Sequence, residues 1–284
     1  MIKTVAIAVK KAAQKLAARQ ISDVSGIEAQ ALMLDCLELS DQSQIQTRAE
    51  WTLEKTAGLK FESHINRRLA GEPVAYILGR REFYKKQFFT TPAALIPRPE
   101  SEGLVDVALA HIPANKKRRV LDMGTGCGAV GLSIALLREY AEITLSDVVE
   151  DTLTLSKQNT ARLEAQNVRF VLGDWYEPLK DEQAFSLIVS NPPYIADNDP
   201  HLKRGDIRYE PPVALLGGAD GLSALSKVIT GAPKLLQRGG ILITEHGQGQ
   251  KQAVAALFAK AGFCGIHSIR DPAGIERIIF GVKP

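Results

Sequence analysis

The sequence predicts an α/β protein: a mostly parallel seven-stranded sheet with helices on both faces, joined to a small all-helical N-terminal domain. Three observations predict it. From about Pro99 onward, strand and helix patterns alternate. Segments such as Leu187-Ile188-Val189 are apolar on both sides, as strands covered on both faces must be. Before residue 75 the apolar residues step by three and four instead, the period of a helix.

Bulk properties narrow the class. A chain of 284 residues suits one catalytic domain plus a smaller partner. With 45% hydrophobic and 24% charged residues it can build a sizeable core. The net charge of +3 is too small to argue for a nucleic-acid binder. Cys36, Cys127 and Cys264 are odd in number and far apart, which argues against a disulfide framework and against a metal site. They point to a reducing, cytoplasmic setting, each as a small buried apolar residue. No apolar run approaches the roughly 18–20 residues of a membrane helix, so no membrane partner is expected.

The elements follow in order. Residues 1–22 carry Lys3, Lys10, Lys11, Lys15 and Arg19 but no acid, which faintly resembles a targeting peptide. The apolar stretch 4–9 is short for one, and Val5, Val9, Ala12, Ala13 and Leu16 share one helical face; a bundle helix is the simpler reading, and an organelle signal stays open. Ser25 is placed to cap a second helix holding Ile27, Leu32, Leu34 and Leu37. A third runs over about 50–70, where Leu53, Ala57, Phe61, Ile65 and Leu69 form one stripe, and Gly71 and Pro73 stop it. Residues 1–74 hold ten basic and nine acidic residues, a near-neutral bundle better suited to holding a protein than a duplex.

Residues 75–98 read as a β-hairpin linker, with Tyr76, Ile77, Phe83, Tyr84, Phe88 and Phe89 in strand-like runs. Arg80, Arg81, Lys85 and Lys86 make it basic, as a solvated surface or as a contact with RNA or an acidic partner. Residues 99–284 form the catalytic domain, with strands expected at 119–123, 143–147, 168–172, 187–191, 241–245, 266–269 and 275–282.

The first strand of that domain ends in Asp122, then Met123, Gly124, Thr125, Gly126, Cys127 and Gly128, after which a helix opens. Glycines let a ligand approach the backbone, and the helix start offers free amides. Such a turn serves a dinucleotide or is only a tight connection. Asp122 favours S-adenosylmethionine: a carboxylate suits an ammonium and a sulfonium, whereas it repels a pyrophosphate. Asp147 ends the next strand, nineteen residues after Gly128, as a ribose-diol acceptor or as a helix cap. Asp174 is placed to accept from an adenine amine, and Trp175 offers a flat face to the ring or belongs to the core.

After the fourth strand come Asn191, Pro192, Pro193 and Tyr194. Two prolines remove two backbone donors and stiffen the turn. The carbonyls of Asn191 and Pro192 and the Asn191 side-chain oxygen then form an acceptor-rich pocket for a planar NH2, with Tyr194 stacking on its plane. An amide or nucleobase nitrogen is a poor nucleophile because its lone pair is delocalised. Acceptors on both N–H bonds favour pyramidalisation, positioning supplies rate, and fixed dipoles stabilise the growing charge.

These motifs, with Glu72-Pro73-Val74-Ala75-Tyr76-Ile77-Leu78-Gly79, Leu95-Ile96-Pro97-Arg98-Pro99-Glu100, Tyr209-Glu210-Pro211, Gly217-Gly218-Ala219-Asp220-Gly221-Leu222 and Asp271-Pro272-Ala273-Gly274-Ile275-Glu276-Arg277, occur in one order along the whole chain. The chain resembles the HemK-type glutamine N5-methyltransferases that modify peptide chain release factors. The resemblance implies a class I S-adenosylmethionine-dependent methyltransferase fold, with S-adenosyl-L-homocysteine as product. It implies cofactor contacts at 124–128, Asp147, Trp175 and Asn191, and catalytic and substrate contacts at Asn191, Pro192, Pro193 and Tyr194. The implied substrate is the glutamine of the Gly-Gly-Gln loop of class 1 release factors, docked in part by residues 1–74. Cys127 and Ser101 depart from the Ser or Thr and the Thr of relatives, and His246 from an apolar residue; His246 reads as incidental packing or surface. The Asn191-Pro192-Pro193-Tyr194 tetrad is shared with adenine-N6 and cytosine-N4 DNA methyltransferases, and a ribosome or RNA adaptor with the same fold is a non-catalytic rival. Nucleic acid is not the expected substrate, because no strongly basic recognition domain is present.

Overall fold

The computed structural model describes residues 4–39, 41 and 43–284. They divide into two compact units. One holds the chain up to Arg80 together with Pro200–Tyr209, and the other holds Arg81–Asp199 and Glu210–Pro284. No helix among the described residues is long and apolar enough to cross a membrane.

In the first unit, α1 (Val5–Ala18) buries Val5, Val9, Ala12 and Leu16, the face its spacing predicts. The Thr4 hydroxyl caps it, accepting from the Ile7 amide at 3.4 Å. Lys3 lies outside the described residues. α2 (Ser25–Cys36) buries Ala29, Leu32 and Met33. Ser25 does not cap it: Val24 is the capping residue, and the Ser25 hydroxyl donates to the Ser22 carbonyl at 2.7 Å. A short helix, α3 (Ser43–Thr47), precedes the expected third helix, which is present as α4 (Lys55–Leu69) and starts about five residues later than expected; within it Phe61 and Ile65 of the expected stripe are buried. Gly71, at φ +100°, ends it where a Cβ would overlap Arg208 and Tyr209. Tyr76 and Ile77 are not in a strand. Pro73 and Gly79 bracket one helical turn, α5 (Val74–Leu78), that buries both, Ile77 in the bundle core. Arg68, 3% exposed, pairs with Glu28 at 2.9 Å and Asp206 at 2.8 Å. Deleting the Arg68 charge would leave two carboxylates facing each other without it, a loss on the order of 3–5 kcal/mol.

Next comes a hairpin of β1 (Arg80–Phe83), whose first residue closes the first unit, and β2 (Lys86–Phe89); from Arg81 on it belongs to the second unit. Tyr84 and Lys85 turn it at φ +48° and +59°, the two left-handed residues of a type I′ turn, here without Gly or Asn. Phe83 and Phe88 are buried and meet edge to face at 6.1 Å. Of the four basic residues, Arg80 pairs with Asp35 at 2.7 Å, whereas Arg81, Lys85 and Lys86 are exposed.

The main sheet comprises β3 (Arg118–Met123), β4 (Ala141–Asp147), β5 (Val168–Leu172), β6 (Phe185–Ser190), β7 (Leu236–Glu245), β8 (Cys264–Arg270) and β9 (Glu276–Val282), in the order β5-β4-β3-β6-β7-β9-β8. β3 to β7 run parallel, and β9 is antiparallel to both neighbours. Helices α6 (Glu102–His111), α7 (Ala129–Leu137), α8 (Glu150–Leu163), α9 (Ser223–Leu235) and α10 (Lys251–Lys260) complete the unit. Side chains alternate between two cores: Leu187 and Val189 enter one with Leu104 and Leu132, while Ile188 enters the other with Val228 and Phe258. Cys36 and Cys127 are buried as expected, but Cys264 is exposed, because it opens the edge strand β8.

The sheet order places the site. From β3 the chain winds outward to β5, then returns to lay β6 on the other side of β3. Ligands of open α/β sheets bind at such a switch point, outside the carboxyl ends of the strands. The ladders bring those ends level. Met123 is in register with Ser146 and with Ser190, Asp147 with Leu172, and Ser190 with Thr244. The residues that follow, Gly124, Gly173, Asn191 and Glu245, therefore emerge beside one another with Asp147.

Candidate active site

A cavity of about 470 Å³ opens at that switch point, within the usual size range of small-molecule sites. Asp122 lines it from the end of β3, and Gly124, Thr125, Gly126 and Cys127 from the loop that follows. Asp147, Asp174 and Trp175 line it from the next two strand ends, and Asn191 and Pro193 from the fourth. Gly128, Pro192 and Tyr194 are not part of the lining.

The three glycines do different things. Gly124 and Gly126 sit at φ +70° and +58°, and a Cβ on either would meet nothing within 4 Å. They keep the backbone left-handed and leave the space above it open. At Gly128, φ +88°, a Cβ would come 2.6 Å from Ser156 Oγ and 2.8 Å from Leu132 Cδ1, so this glycine lets the opening turn of α7 pack closely.

The two carboxylates hold the loop as well as face the cavity. Asp122 Oδ2 accepts from Thr125 Oγ1 at 2.7 Å and from the Gly131 amide at 2.9 Å. Burial pushes its pKa up to about 6, against those two donors. Asp147 Oδ2 accepts from the Gly126 amide at 3.0 Å and Oδ1 from the Val149 amide at 3.1 Å, while Val149 itself takes the capping position of α8. Burial raises Asp147 above the ordinary carboxylate range too, and these amides oppose it. Both lone pairs of Asp122 Oδ2 are taken by Thr125 and Gly131, whereas each Asp147 oxygen keeps a second lone pair for a ligand. Cys127 is buried, and burial pushes its thiol up to about 12, so it stays protonated. Asp174 is exposed at the rim. Trp175, held at φ +44°, packs partly against the second core and also lines the cavity.

At the fourth strand end, Pro192 is buried. Among the described residues, no backbone or side-chain hydrogen bond ends on the carbonyls of Asn191 or Pro192. The corner is braced from behind. Gln250 Nε2 donates to the Tyr194 carbonyl at 3.0 Å, the Ile195 amide to the Leu215 carbonyl at 3.0 Å, and the Gly217 amide back to the Ile195 carbonyl at 2.8 Å. Gly221 at φ +75° is required there, since a Cβ would strike the Tyr194 carbonyl.

Sequence reasoning missed the residues behind Asn191. Asn191 Nδ2 donates to Ser101 Oγ at 3.0 Å, Ser101 Oγ donates to Glu245 Oε2 at 2.6 Å, and the Tyr194 hydroxyl donates to Glu245 Oε1 at 2.9 Å. Glu245 is 1% exposed. Burial raises its proton affinity, and the two hydroxyls and the charge of Arg277 oppose that. The only local sign was a carboxylate closing an otherwise apolar strand. Asn159 was missed too: fully buried on α8, it donates to the carbonyls of Phe89 at 3.1 Å and Cys127 at 2.8 Å, tying β2 to the glycine loop. Glu210, also buried, accepts from Arg98 and from the Ile96 amide, holding Arg98 at the cavity wall. His246 is buried rather than on the surface; its Nδ1 donates to the Gly247 carbonyl at 2.9 Å and it does not line the cavity.

Comparison with known proteins agrees with this geometry. Residues 8–79 match the model of the PrmC N-terminal domain, and residues 104–205 that of the methyltransferase small domain. A release factor glutamine methyltransferase of Bordetella pertussis is 49% identical over 76% of this chain and 79% of its own. That of Neisseria gonorrhoeae is 42% identical over 92% of this chain and 94% of its own. Among solved structures, a Pyrococcus furiosus methyltransferase superposes with a TM-score of 0.55 at 19% identity, covering 78% of this chain and 98% of that one, a likeness of fold. With a cavity at the switch point of a seven-stranded sheet and full-length relatives well above 30% identity, the chain belongs to the release factor glutamine methyltransferase family.

Proposed function

We propose that this protein transfers the methyl group of S-adenosylmethionine to the side-chain amide nitrogen, N5, of the glutamine in the Gly-Gly-Gln loop of class 1 peptide chain release factors. The observation that carries the reading is the level emergence of Asn191 beside the glycine loop and Asp147 at one cavity, in a chain of this family. The residues present fit the cofactor. Gly124 and Gly126 leave open space above a left-handed backbone, and Asp122 and Asp147 bring two carboxylates to a ligand that carries two positive charges and a ribose diol. Trp175 offers the nucleoside ring an apolar face. When bound, the cofactor supplies an electrophilic sulfonium methyl: the new N–C bond forms as the S–C bond breaks, and the surplus nitrogen proton leaves afterwards.

The chain's own work is to prepare the nitrogen. With Nδ2 of Asn191 committed to Ser101, its Oδ1 is the acceptor left for one substrate N–H. The unpartnered Asn191 carbonyl, on the one corner residue besides Pro193 that lines the cavity, supplies an acceptor for the second. Fixed dipoles of this kind stabilise the charge that grows on the nitrogen. Tyr194 does not line the cavity; with its hydroxyl held by Glu245 it braces the corner from behind. Residues 1–74 are near neutral and helical, which suits docking a folded protein.

The test is incorporation of tritium from methyl-labelled S-adenosylmethionine into purified release factor and into duplex DNA. Label should enter the release factor. Label entering DNA alone would transfer the assignment to a nucleobase amine, and label entering neither would favour an adaptor.

A further inference from the structure

We propose that Glu245 and Ser101 form a one-way hydrogen-bond relay that fixes which atom of the Asn191 side-chain amide faces the substrate. The inference rests on the methyl-transfer reading above and adds two positioning residues to it.

An asparagine amide is nearly symmetric in shape and opposite in polarity at its two ends. Turned over, it would present an NH2 to the substrate NH2, donor against donor. Local packing alone separates the two orientations weakly, so something must set the polarity. The chain of bonds behind Asn191 does so by proton counting. A carboxylate accepts and does not donate. Glu245, 1% exposed, takes a hydroxyl proton at each oxygen, from Tyr194 at 2.9 Å and from Ser101 at 2.6 Å. Ser101 has one hydroxyl proton, and the 2.6 Å bond to Glu245 uses it. Its remaining lone pairs can only accept, so Asn191 must offer its Nδ2, at 3.0 Å, and turn Oδ1 away. With the amide reversed, Oδ1 would face a serine oxygen that has no proton left to give. The cost is a lost hydrogen bond plus a repulsive contact between two buried oxygens.

The fold makes the relay possible at low cost. β6 and β7 are in register at Ser190 and Thr244, so Asn191 and Glu245 are neighbours by sheet geometry. Ser101, 4% exposed, comes from the turn that opens α6. All three are held by separate elements, so no single loop movement disorders them together.

The decisive variant is Glu245→Gln, which keeps volume and hydrogen-bonding reach but adds an NH2 donor. The glutamine donates to Ser101, Ser101 is freed to donate to Asn191 Oδ1, and the reversed amide becomes acceptable. Steady-state methylation of release factor should show kcat reduced at least thirtyfold, with KM for release factor and the dissociation constant of S-adenosylhomocysteine each within about threefold of the parent. Ser101→Ala should lower kcat similarly, and Ser101→Thr, which keeps the hydroxyl, should recover at least tenfold of that loss. The double variant Glu245→Gln/Ser101→Ala should be no slower than the worse single variant, because both cut one chain. Parent-like kcat in Glu245→Gln would overturn the relay while leaving the methyltransferase reading intact. A matching loss of cofactor affinity, or multiplicative losses in the double variant, would mean a general structural role and overturn it as well. A parent enzyme that fails to methylate release factor would instead sink the underlying function.

Discussion

The loop after β3 and the corner after β6 emerge level from neighbouring strands, yet they are built on opposite principles. The first is made of glycine backbone, open above Gly124 and Gly126, with its carboxylates tied into the loop by amides of Gly126, Gly131 and Val149. The second is made of prolines braced by Gln250 and the pairing of Ile195 with Leu216, with its polarity set by side chains three bonds deep. On the proposed function, the difference teaches how two ligands would share one cavity. A cofactor of fixed shape is met by backbone contour and charge. A weakly nucleophilic amide needs acceptors of fixed direction, and only a buried side-chain network fixes direction.

The comparison breaks first at Asn191. Asn191→Ala should lower kcat by about 10²–10³, the usual cost of one preorganised transition-state contact. Cofactor affinity, read by calorimetry with S-adenosylhomocysteine, should change by less than about threefold, because the glycine loop is untouched. Parallel losses in both would mean the two regions are not separable.

Gly126→Val should do the reverse. It imposes a left-handed β-branched residue, at about 1–2 kcal/mol, and directs a side chain into open space at the cavity. Cofactor affinity should fall by about 10- to 100-fold, while kcat at saturating cofactor stays within about fivefold. An unchanged dissociation constant would remove Gly126 from the binding surface.

A third expectation concerns pH. Asp122 titrates near 6 in the free protein, above the ordinary aspartate value. A raised acid stabilises the ligand-free fold below the ordinary carboxylate pKa, and that stability is lost as pH rises through about 6, by up to about 3 kcal/mol. A cationic ligand prefers the carboxylate. S-adenosylmethionine affinity should therefore fall about tenfold from pH 7 to pH 5, and Asp122→Asn should flatten that slope. The smallest effect belongs to Cys127→Ser, which exchanges a buried thiol for a hydroxyl: cofactor affinity should shift by less than about threefold, as one neutral hydrogen bond allows.

The site was legible in the sequence to the extent that it is local. The glycine turn, Asp147 at a strand end and the double proline each announce themselves within a few residues, and every expected strand of the main sheet is present with ends shifted by a few residues. What stayed hidden depends on pairing across the chain. Glu245 becomes a neighbour of Asn191 only once β7 is laid beside β6, and Asn159 reaches the glycine loop and the hairpin only from a helix 70 residues downstream of Phe89. Tyr76 and Ile77 looked like strand because aromatic and β-branched residues favour strands, but Pro73 and Gly79 close a single helical turn around them. Pro200–Tyr209 belongs with the helical unit through the Arg68–Asp206 pair, 138 residues apart, which no local pattern reveals.

The most direct test of the central claim, a flat side-chain nitrogen methylated at the Asn191 corner, uses two release factors that differ only by Gln→Ala in the Gly-Gly-Gln loop. With tritiated S-adenosylmethionine, the parent factor should take up close to one methyl per molecule and the alanine factor none. Equal labelling of the two would contradict the account.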